Sequence, residues 1–243
     1  MKIALFGYGK MGKMIEEIIS KENSHQVALK ISSHNTSDAT VQQLQQADIA
    51  IDFSTPDAVL QNIASCLIAN TPIVIGTTGW YQHLEKVKEE CTKVKGSIVY
   101  ASNFSIGVNI FFELNRKLAD LMSTRTDYEP FITEIHHTQK KDQPSGTATS
   151  LADDILKLSP SKRHSVNYES PNKDELIILS RREGEVKGIH EVKYISKVDE
   201  ISISHEAFSR EGFAKGAIFA AEWLHGKKGF YEFREILSQS FVR

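Results

Sequence analysis

A strand, a glycine triad and a helix open this chain in immediate succession. Lys2 to Phe6 is an apolar run with the length of a buried strand. Gly7-x-Gly9-x-x-Gly12 follows directly. Met11, Met14, Ile15, Ile18 and Ile19 then recur at helical spacing, with Lys13, Glu16 and Glu17 on the opposite face. In that setting Gly7 permits a tight turn, Gly9 lets a ligand approach backbone amides, and Gly12 lets the helix pack closely on the strand. The helix N-terminus adds amide donors and the positive end of its dipole, which suit a pyrophosphate. The N-terminal part is therefore expected to be a parallel α/β sheet that binds a dinucleotide.

The alternation continues. Gln26 to Ile31, Ala47 to Phe53, Pro72 to Ile75 and Ser97 to Ala101 read as further strands. Thr55-Pro56-Asp57 has the order of a helix start: a capping hydroxyl, a proline at the first helical position, and an acid at the positive end of the dipole. Leu60, Ile63, Leu67 and Ile68 are the expected buried stripe of that helix, and Leu84, Val87, Cys91 and Val94 mark the next. Strands alternating with helices imply βαβ units.

After residue 104 the pattern changes. Ile110, Phe111, Leu114, Leu118 and Leu121 predict one longer helix, Phe131 to His137 a strand, and Ser150 to Leu158 a helix. Ser159 to Asp174 is polar, carries two prolines and reads as a loop. Glu175 to Arg181, His190 to Ile195 and Ile201 to Ala207 are strands with no helix between them. That predicts a mixed or antiparallel sheet. Gly212 to Leu224 and Phe230 to Ser238 read as closing helices. The fold class is therefore α/β. A Rossmann-like parallel-sheet domain (1–104 and 216–243) is joined to an α+β substrate and oligomerisation domain (105–215).

Composition excludes other classes. Of 243 residues, 40% are hydrophobic and 25% charged, which is not the balance of a disordered, collagen-like or coiled-coil chain. Lys and Arg number 29 against 31 Asp and Glu, so no global basic excess points to nucleic acid or anionic lipid. No apolar run approaches the roughly 18 residues of a membrane helix, and the N-terminal one is too short for a signal peptide. Cys66 and Cys91 lack a partner motif, so buried thiols and a reducing, cytoplasmic location are expected. The 9 histidines include no H-x-x-x-H pair, and no metal site is expected.

Candidate cofactor contacts fall at strand ends, where ligands of open α/β sheets bind. Gly7, Tyr8, Gly9, Lys10, Met11 and Gly12 form the first loop. Gly76-Thr77-Thr78-Gly79 and Ala101-Ser102-Asn103-Phe104-Ser105 form two more. The hydroxyls and amides of Gly76 to Gly79 are expected to face the nicotinamide half. The dinucleotide fingerprint expects an acid about twenty residues on for the adenine ribose. Here the second strand ends Ile31-Ser32-Ser33-His34, without a carboxylate. Ser32, Ser33 and His34 suit a ribose phosphate or form a plain loop. NADPH is expected to serve at least as well as NADH.

The densest polar stretch runs from Glu134 to Thr147. A strand delivers His136 and His137, a loop brings Lys140 and Lys141, and Ser145-Gly146-Thr147 starts a helix. Histidine suits proton transfer near neutrality. Lysine offers a charge or a proton, and a helix start with Ser and Thr suits a carboxylate. The combination predicts a pocket for a small anion that undergoes proton transfer. Adjacent strand residues face opposite ways. Either the strand ends at this point or one histidine approaches from the rim.

These motifs resemble one family. Gly7-Tyr8-Gly9-Lys10-Met11-Gly12, Asp52-Phe53-Ser54, Gly76 to Gly79, Asn103-Phe104-Ser105 and Glu134-x-His136-His137-x-x-Lys140-x-Asp142-x-Pro144-Ser145-Gly146-Thr147 are similar to the 4-hydroxy-tetrahydrodipicolinate (dihydrodipicolinate) reductases of lysine biosynthesis via diaminopimelate. The likeness continues through Arg182-x-Gly184-x-x-x-Gly188-x-His190, His205-x-Ala207-x-x-Arg210 and Phe213-Ala214-x-Gly216-Ala217. It implies NAD(P)H-dependent reduction of a conjugated imine dicarboxylate formed by loss of water, followed by protonation. It also implies His136 as proton donor and acceptor, Lys140 as proton donor, and His137 on one substrate carboxylate. Ser145, Gly146 and Thr147 would hold the other carboxylate. A homotetramer and closure between the domains are implied as well. The family often has an acid after the second strand, which this chain lacks, and the connection from Ser33 to the third strand is short. Another two-domain dehydrogenase of amino acids or sugars would share Gly7 to Gly12 without needing His136 to Thr147. A nucleotide-sensing regulator would need a helix-turn-helix or a basic stripe, and neither is found.

Overall fold

The structure, a computed structural model, describes residues 1–241. The chain forms β1 (Lys2–Phe6), α1 (Lys10–Glu22), β2 (Gln26–Ile31), α2 (Val41–Leu44), β3 (Ile49–Asp52), α3 (Pro56–Ala69), β4 (Ile73–Ile75), α4 (Leu84–Lys93) and β5 (Ser97–Tyr100). It continues through α5 (Ile106–Met122), β6 (Glu129–His136), α6 (Gly146–Leu158), β7 (His164–Val166), β8 (Glu175–Arg182), β9 (Ile189–Ile195) and β10 (Glu200–Glu206). It ends with α7 (Glu211–Leu224), β11 (Gly229–Glu232) and α8 (Phe233–Phe241). Two compact units result: Met1–Ile106 with the segment from Glu211 onward, and Gly107–Arg210. The first unit's expected range reaches residue 243, and residues 242–243 lie outside the described residues. Among the described residues no helix is long and apolar enough to cross a membrane.

The first unit is built on a six-stranded sheet in the order β11-β5-β4-β3-β1-β2, with every pair parallel. Its inner strands β5, β4, β3 and β1 are buried on both faces, so they read as continuous apolar runs, while the edge strands β2 and β11 stay partly exposed. The two-residue period sorts the side chains into two cores. Ile3, Leu5, Ile49 and Ile51 pack with Ile15, Ile18 and Ile19 of α1 and Ala214, Ala217 and Ala221 of α7. Ala4, Phe6, Ala50 and Ile73 pack with Val59, Ile63 and Cys66 of α3 and Val87 of α4. The chain steps from β1 out to β2 and returns to β3 on the other side of β1. The strand order therefore reverses between β1 and β3, and such a switch point opens a crevice beyond the strand ends.

The second unit carries a mixed sheet in the order β10-β9-β6-β8-β7. β6 pairs antiparallel with β9 and parallel with β8. Its even-numbered side chains from Ile132 to His136 are buried on one face. Ile132 joins Phe111 and Phe112 of α5, Leu151 and Ile155 of α6, and Ile178, Val192 and Tyr194. Phe131, Ile135, Ile177, Leu179 and Ile189 lie on the other face and are only half-buried.

Several local expectations need correction. The segment Phe230 to Ser238 is not one helix: Gly229–Glu232 pairs with β5 as a sixth strand, and α8 follows. His164–Val166, within the expected loop, adds an edge strand beside β8. Ile68 was expected in the buried stripe of α3 but is 71% exposed, and Val59 and Cys66 take the inner face instead. The stripe is rotated because the flat of α3 that meets the sheet is centred one position earlier. Val94 lies beyond the end of α4 and is exposed.

Helix α7 lies close to the loop after β5 because Gly216 has no side chain. A Cβ there would stand 1.6 Å from the Phe104 carbonyl oxygen. Gly216→Ala is expected to cost about 3 kcal/mol, since helix and loop must separate. Chemical denaturation checks this, and an unchanged midpoint would refute the packing argument.

Candidate active site

The switch point of the first unit holds a cleft of about 390 Å³, lined by Gly7, Tyr8, Gly9, Ser32, Ser33, His34, Phe53, Ser54 and Asn62 among others. Gly7 has φ +81°, and a Cβ on it would meet the Phe53 carbonyl oxygen at 2.1 Å. This close approach brings the ends of β1 and β3 together. A Cβ at Gly9 would meet nothing within 4 Å, so open space lies over the start of α1. That helix has no side-chain cap and no acid in its first turn. Its positive end is thus left for an anion. Gly12 is buried against the Gly7 carbonyl, Met11 is half-buried and Lys10 is exposed. Tyr8 hydrogen-bonds Glu16, and the Lys30 ammonium stands 5.0 Å over its ring. No carboxylate lines the cleft beside Ser32 and Ser33. The Ser32 amide and hydroxyl donate to Asn35 Oδ1 at 2.7 and 2.8 Å, which shapes that loop from within.

Beneath the cleft lies Asp52, fully buried. Its Oδ1 accepts from the Ser54 amide at 2.8 Å, the Ser54 hydroxyl at 2.7 Å and the Thr77 hydroxyl at 2.6 Å. Its Oδ2 accepts from Asn62 Nδ2 at 2.8 Å. Burial pushes this carboxyl above its ordinary range, and these donors only partly offset it. The Thr77 hydroxyl, expected to face a ligand, points inward instead. It is drawn there because the fully buried Asp52 must take its donors from the protein. Gly76 packs on the Phe53 ring, and Thr78 is exposed. In the third loop Ala101 is buried, Ser102 exposed, and Asn103 Oδ1 accepts from the Ser105 amide at 2.8 Å. Phe104, an expected cofactor contact, is a core residue with its ring 4.8 Å from that of Phe233.

In the second unit, β6 ends at His136, so His137 is the first residue of the following loop. That settles their orientation: His136 is buried on the helix-covered face and His137 is half-buried at the rim. His136 Nδ1 lies 2.8 Å from Glu134 Oε2, a close but bent contact. Lys140 Nζ pairs with Asp142 Oδ2 at 2.8 Å. Ser145 caps α6, its Oγ accepting from the Ala148 amide at 3.2 Å. Gly146 is exposed and Thr147 half-buried at the same helix start. His136, His137, Lys140 and the Ser145–Thr147 turn are thus gathered at one strand end.

Three residues without an assigned role complete this site. Glu134 is fully buried, and its Oε1 accepts from the Ser145 amide and Arg182 Nη2, both at 3.1 Å. Arg182 also donates to the Lys140 and Asp142 carbonyls at 3.2 and 2.6 Å. His190 Nε2 is 3.2 Å from Ser145 Oγ and 3.9 Å from Glu134 Oε2. Sheet register explains the grouping. Glu134 and His136 are two apart on one strand, Glu134 is opposite His190, and His136 is opposite Arg182. The two-residue spacing of Glu134 and His136 was the available signal; Arg182 and His190 stood out only as part of the family's pattern, with nothing local to join them to Glu134. Glu134, His136 and His190 bring ligand-type atoms within 4.8 Å of one another, a grouping the histidine spacing did not reveal. The Arg182 guanidinium already supplies a cation to that carboxylate.

Burial alone would raise the Glu134 carboxyl. Contacts from His136, Ser145 and Ser180, with the charge of His136, reverse this and hold it well below the carboxylate range. Asp142 is likewise lowered, its partial burial outweighed by Lys140. Burial and then the charge of His136 push His190 down to about 3, against the pull of Glu134. His190 is therefore neutral, and its Nε2 shares a hydrogen bond with Ser145 Oγ.

A dinucleotide crevice in one unit and an acid–base cluster beside a helix N-terminus in the other define a two-domain, dinucleotide-dependent oxidoreductase. Comparison with known proteins specifies it. Residues 1–104 match the family model for the dihydrodipicolinate reductase N-terminus, and residues 107–237 match that for its C-terminus. The 4-hydroxy-tetrahydrodipicolinate reductase of Christiangramia forsetii is 46% identical over 245 residues, covering 99% of each chain. That of Thermosipho africanus is 36% identical over 244 residues, covering 100% of each. A dipicolinate-bound dihydrodipicolinate reductase from Paenisporosarcina sp. TG-14 shares the fold, with a TM-score of 0.77 at 24% identity over 97% of this chain and 99% of that one. The chain belongs to the dihydrodipicolinate reductase family: it is an oxidoreductase of the diaminopimelate route to lysine, with a nucleotide-binding Rossmann domain.

His190 gives the site a pH signature. Unfolded, this imidazole binds a proton below about 6.5; folded, it resists one down to about 3. Its share of stability is complete above pH 6.5 and declines as pH falls, by about 1 kcal/mol per pH unit. Glu134 contributes above its ordinary 4.5 and loses its share only at lower pH, so it leaves this window clear. Denaturation midpoints between pH 7 and pH 5 are expected to fall, and His190→Gln to flatten the slope. Identical slopes would refute the assignment.

Proposed function

We propose that this protein reduces 4-hydroxy-tetrahydrodipicolinate to tetrahydrodipicolinate, with loss of water, using NADPH at least as well as NADH. The observation that carries the reading is the convergence of His136, His137, Lys140 and the Ser145–Thr147 turn at the end of β6. A cyclic dicarboxylate needs two anion contacts and a proton source, and this strand end offers both. The relatives' names designate the same substrate.

Gly7, Tyr8, Gly9, Lys10, Met11 and Gly12 would hold the pyrophosphate at the start of α1, where the missing Cβ of Gly9 leaves room. Ser32 and Ser33 line the same cleft without a carboxylate to repel a ribose phosphate. The exposed Thr78 and Ser102 and the half-buried Asn103 belong to the loops that would border the nicotinamide. When bound, the reduced nicotinamide supplies a hydride.

Substrate binding and proton delivery fall to the second unit. Gly146 and Thr147 take one carboxylate at the helix start, where the dipole favours an anion. His137 at the rim takes the other. His136 turns Nδ1 to Glu134, so Nε2 is the atom left to exchange a proton. Lys140 leaves Asp142 to donate. The cationic groups also draw electron density from the substrate imine, which favours hydride acceptance.

A homotetramer fits the half-buried apolar side chains on the open face of the second sheet, such as Phe131, Ile135 and Leu179. Light scattering should report four chains, and a monomer mass would refute this. The two buried free thiols, Cys66 and Cys91, suit a reducing cytoplasm.

The test generates the substrate in situ from pyruvate and aspartate semialdehyde with a synthase and follows oxidation of NADPH and NADH by absorbance. Oxidation is expected only with synthase present, at least as fast with NADPH. A strong preference for NADH would overturn the cofactor reading, and no oxidation would overturn the function. Lys140→Ala should lower kcat on the order of 10²-fold with cofactor affinity unchanged. Turnover near that of the unaltered enzyme would remove Lys140 from its role.

A further inference from the structure

Glu134 is a full charge without access to water, and such a group is retained only where its surroundings compensate it. Its compensation comes from the reacting parts of the site. Oε2 faces His136 Nδ1 at 2.8 Å. Oε1 accepts from the amide of Ser145, the cap of the turn assigned to the substrate carboxylate. The same Oε1 accepts from Arg182, which in turn holds the Lys140 and Asp142 carbonyls. The carboxylate therefore touches, directly or through one guanidinium, all three pieces that must act together. The opposite edge of the His136 ring faces Gly188, where a Cβ would stand 3.1 Å from Nε2. The missing side chain at Gly188 thus leaves room beside Nε2, and the His190 ring stands 4.9 Å away at 71°.

We propose that Glu134 is the positioning residue of this site: it holds the His136 proton on Nδ1, leaves Nε2 to the substrate, and keeps the Ser145–Thr147 turn and the Lys140 loop in register with that ring. This rests on the role given to His136 above. The groups facing the pair are His190 from β9, Arg182 from β8, Lys140 and Asp142 from the loop, and Ser145 from α6; His205 of β10 acts on His190. Of these only Glu134 and Asp142 carry negative charge, and Asp142 is paired with Lys140. A carboxylate of this kind beside a catalytic imidazole fixes which nitrogen bears the proton.

The experiment measures kcat against pH, with affinity for pyridine-2,6-dicarboxylate and for NADPH. Glu134→Gln keeps the size, removes the charge and presents an amide donor to Nδ1. It should lower kcat on the order of 10²-fold. The limb of kcat that falls with rising pH should move to lower pH by about 1 unit. Dicarboxylate binding should weaken severalfold while NADPH affinity holds. Glu134→Asp keeps the charge but retracts it, so kcat should fall with the limb in place. Arg182→Gln leaves the carboxylate less compensated and should move the limb the other way, which keeps the test open if Glu134→Gln does not fold. A limb that stays fixed in both Glu134→Gln and Arg182→Gln, even with stability lost, overturns the proposal. His136→Asn separates this from failure of the parent reading. Normal turnover there removes His136 from its role and the proposal with it. A lost limb there, with fixed limbs in the other two variants, overturns the proposal alone.

Discussion

A carboxylate shut away from water must find its hydrogen bonds inside the protein, and each unit of this chain contains one at the end of a strand. Asp52 closes β3 and Glu134 stands two residues before the end of β6. Both gather donors from the loops beyond and from neighbouring elements. Asp52 takes Ser54, Thr77 and Asn62; Glu134 takes Ser145 and Arg182. Leaving any of these donors or acceptors unpaired would cost more than making the bond gains. The loops are therefore held in a definite shape by the interior, and their outward sides are free to meet a ligand. The two carboxylates differ in one respect. Burial dominates at Asp52, whose neighbours are neutral, whereas Glu134 has cationic company and stays fully ionised.

The division between unit 1 and unit 2 follows from the same local rules. In unit 1 the inner strands are covered on both sides, and a parallel sheet with its switch between β1 and β3 results. In unit 2 helices cover one face, so strands alternate and can pair antiparallel. The crevice and the acid–base cluster thus belong to two different kinds of sheet, each suited to its ligand. Backbone amides at a helix start meet phosphates, while paired side chains on adjacent strands tune a proton.

Much of this was legible in the residues. Gly7, Gly9 and Gly12 after an apolar run specified the first βαβ unit, because turn, strand and helix are local. The His136 to Thr147 stretch is nearly contiguous, so its chemistry could be read directly. What depended on distant partners could not. The strand Gly229–Glu232 exists because β5 offers it an edge, and on its own Phe230-Tyr231-Glu232 continues a helical pattern into α8. The inward turn of Thr77 depends on Asp52, 25 residues earlier. Phe104 looked like a ligand contact by its place in a loop, but the core it joins includes Phe233. Arg182 and His190 reach Glu134 only through sheet register.

The first unit is interrupted in sequence. Its sheet acquires β11, and the face built on Ile49, Ile51 and Val74 acquires α7, only after the whole second unit has been made. A chain growing from its N-terminus therefore carries a sheet face covered only by α1 while residues 101–210 are made, and Gly107–Arg210, continuous in sequence, is complete before that face is. The nascent protein is thus an open book whose cover arrives last. Its exposure to misassembly is set by the time between β5 leaving the ribosome and α7 following it.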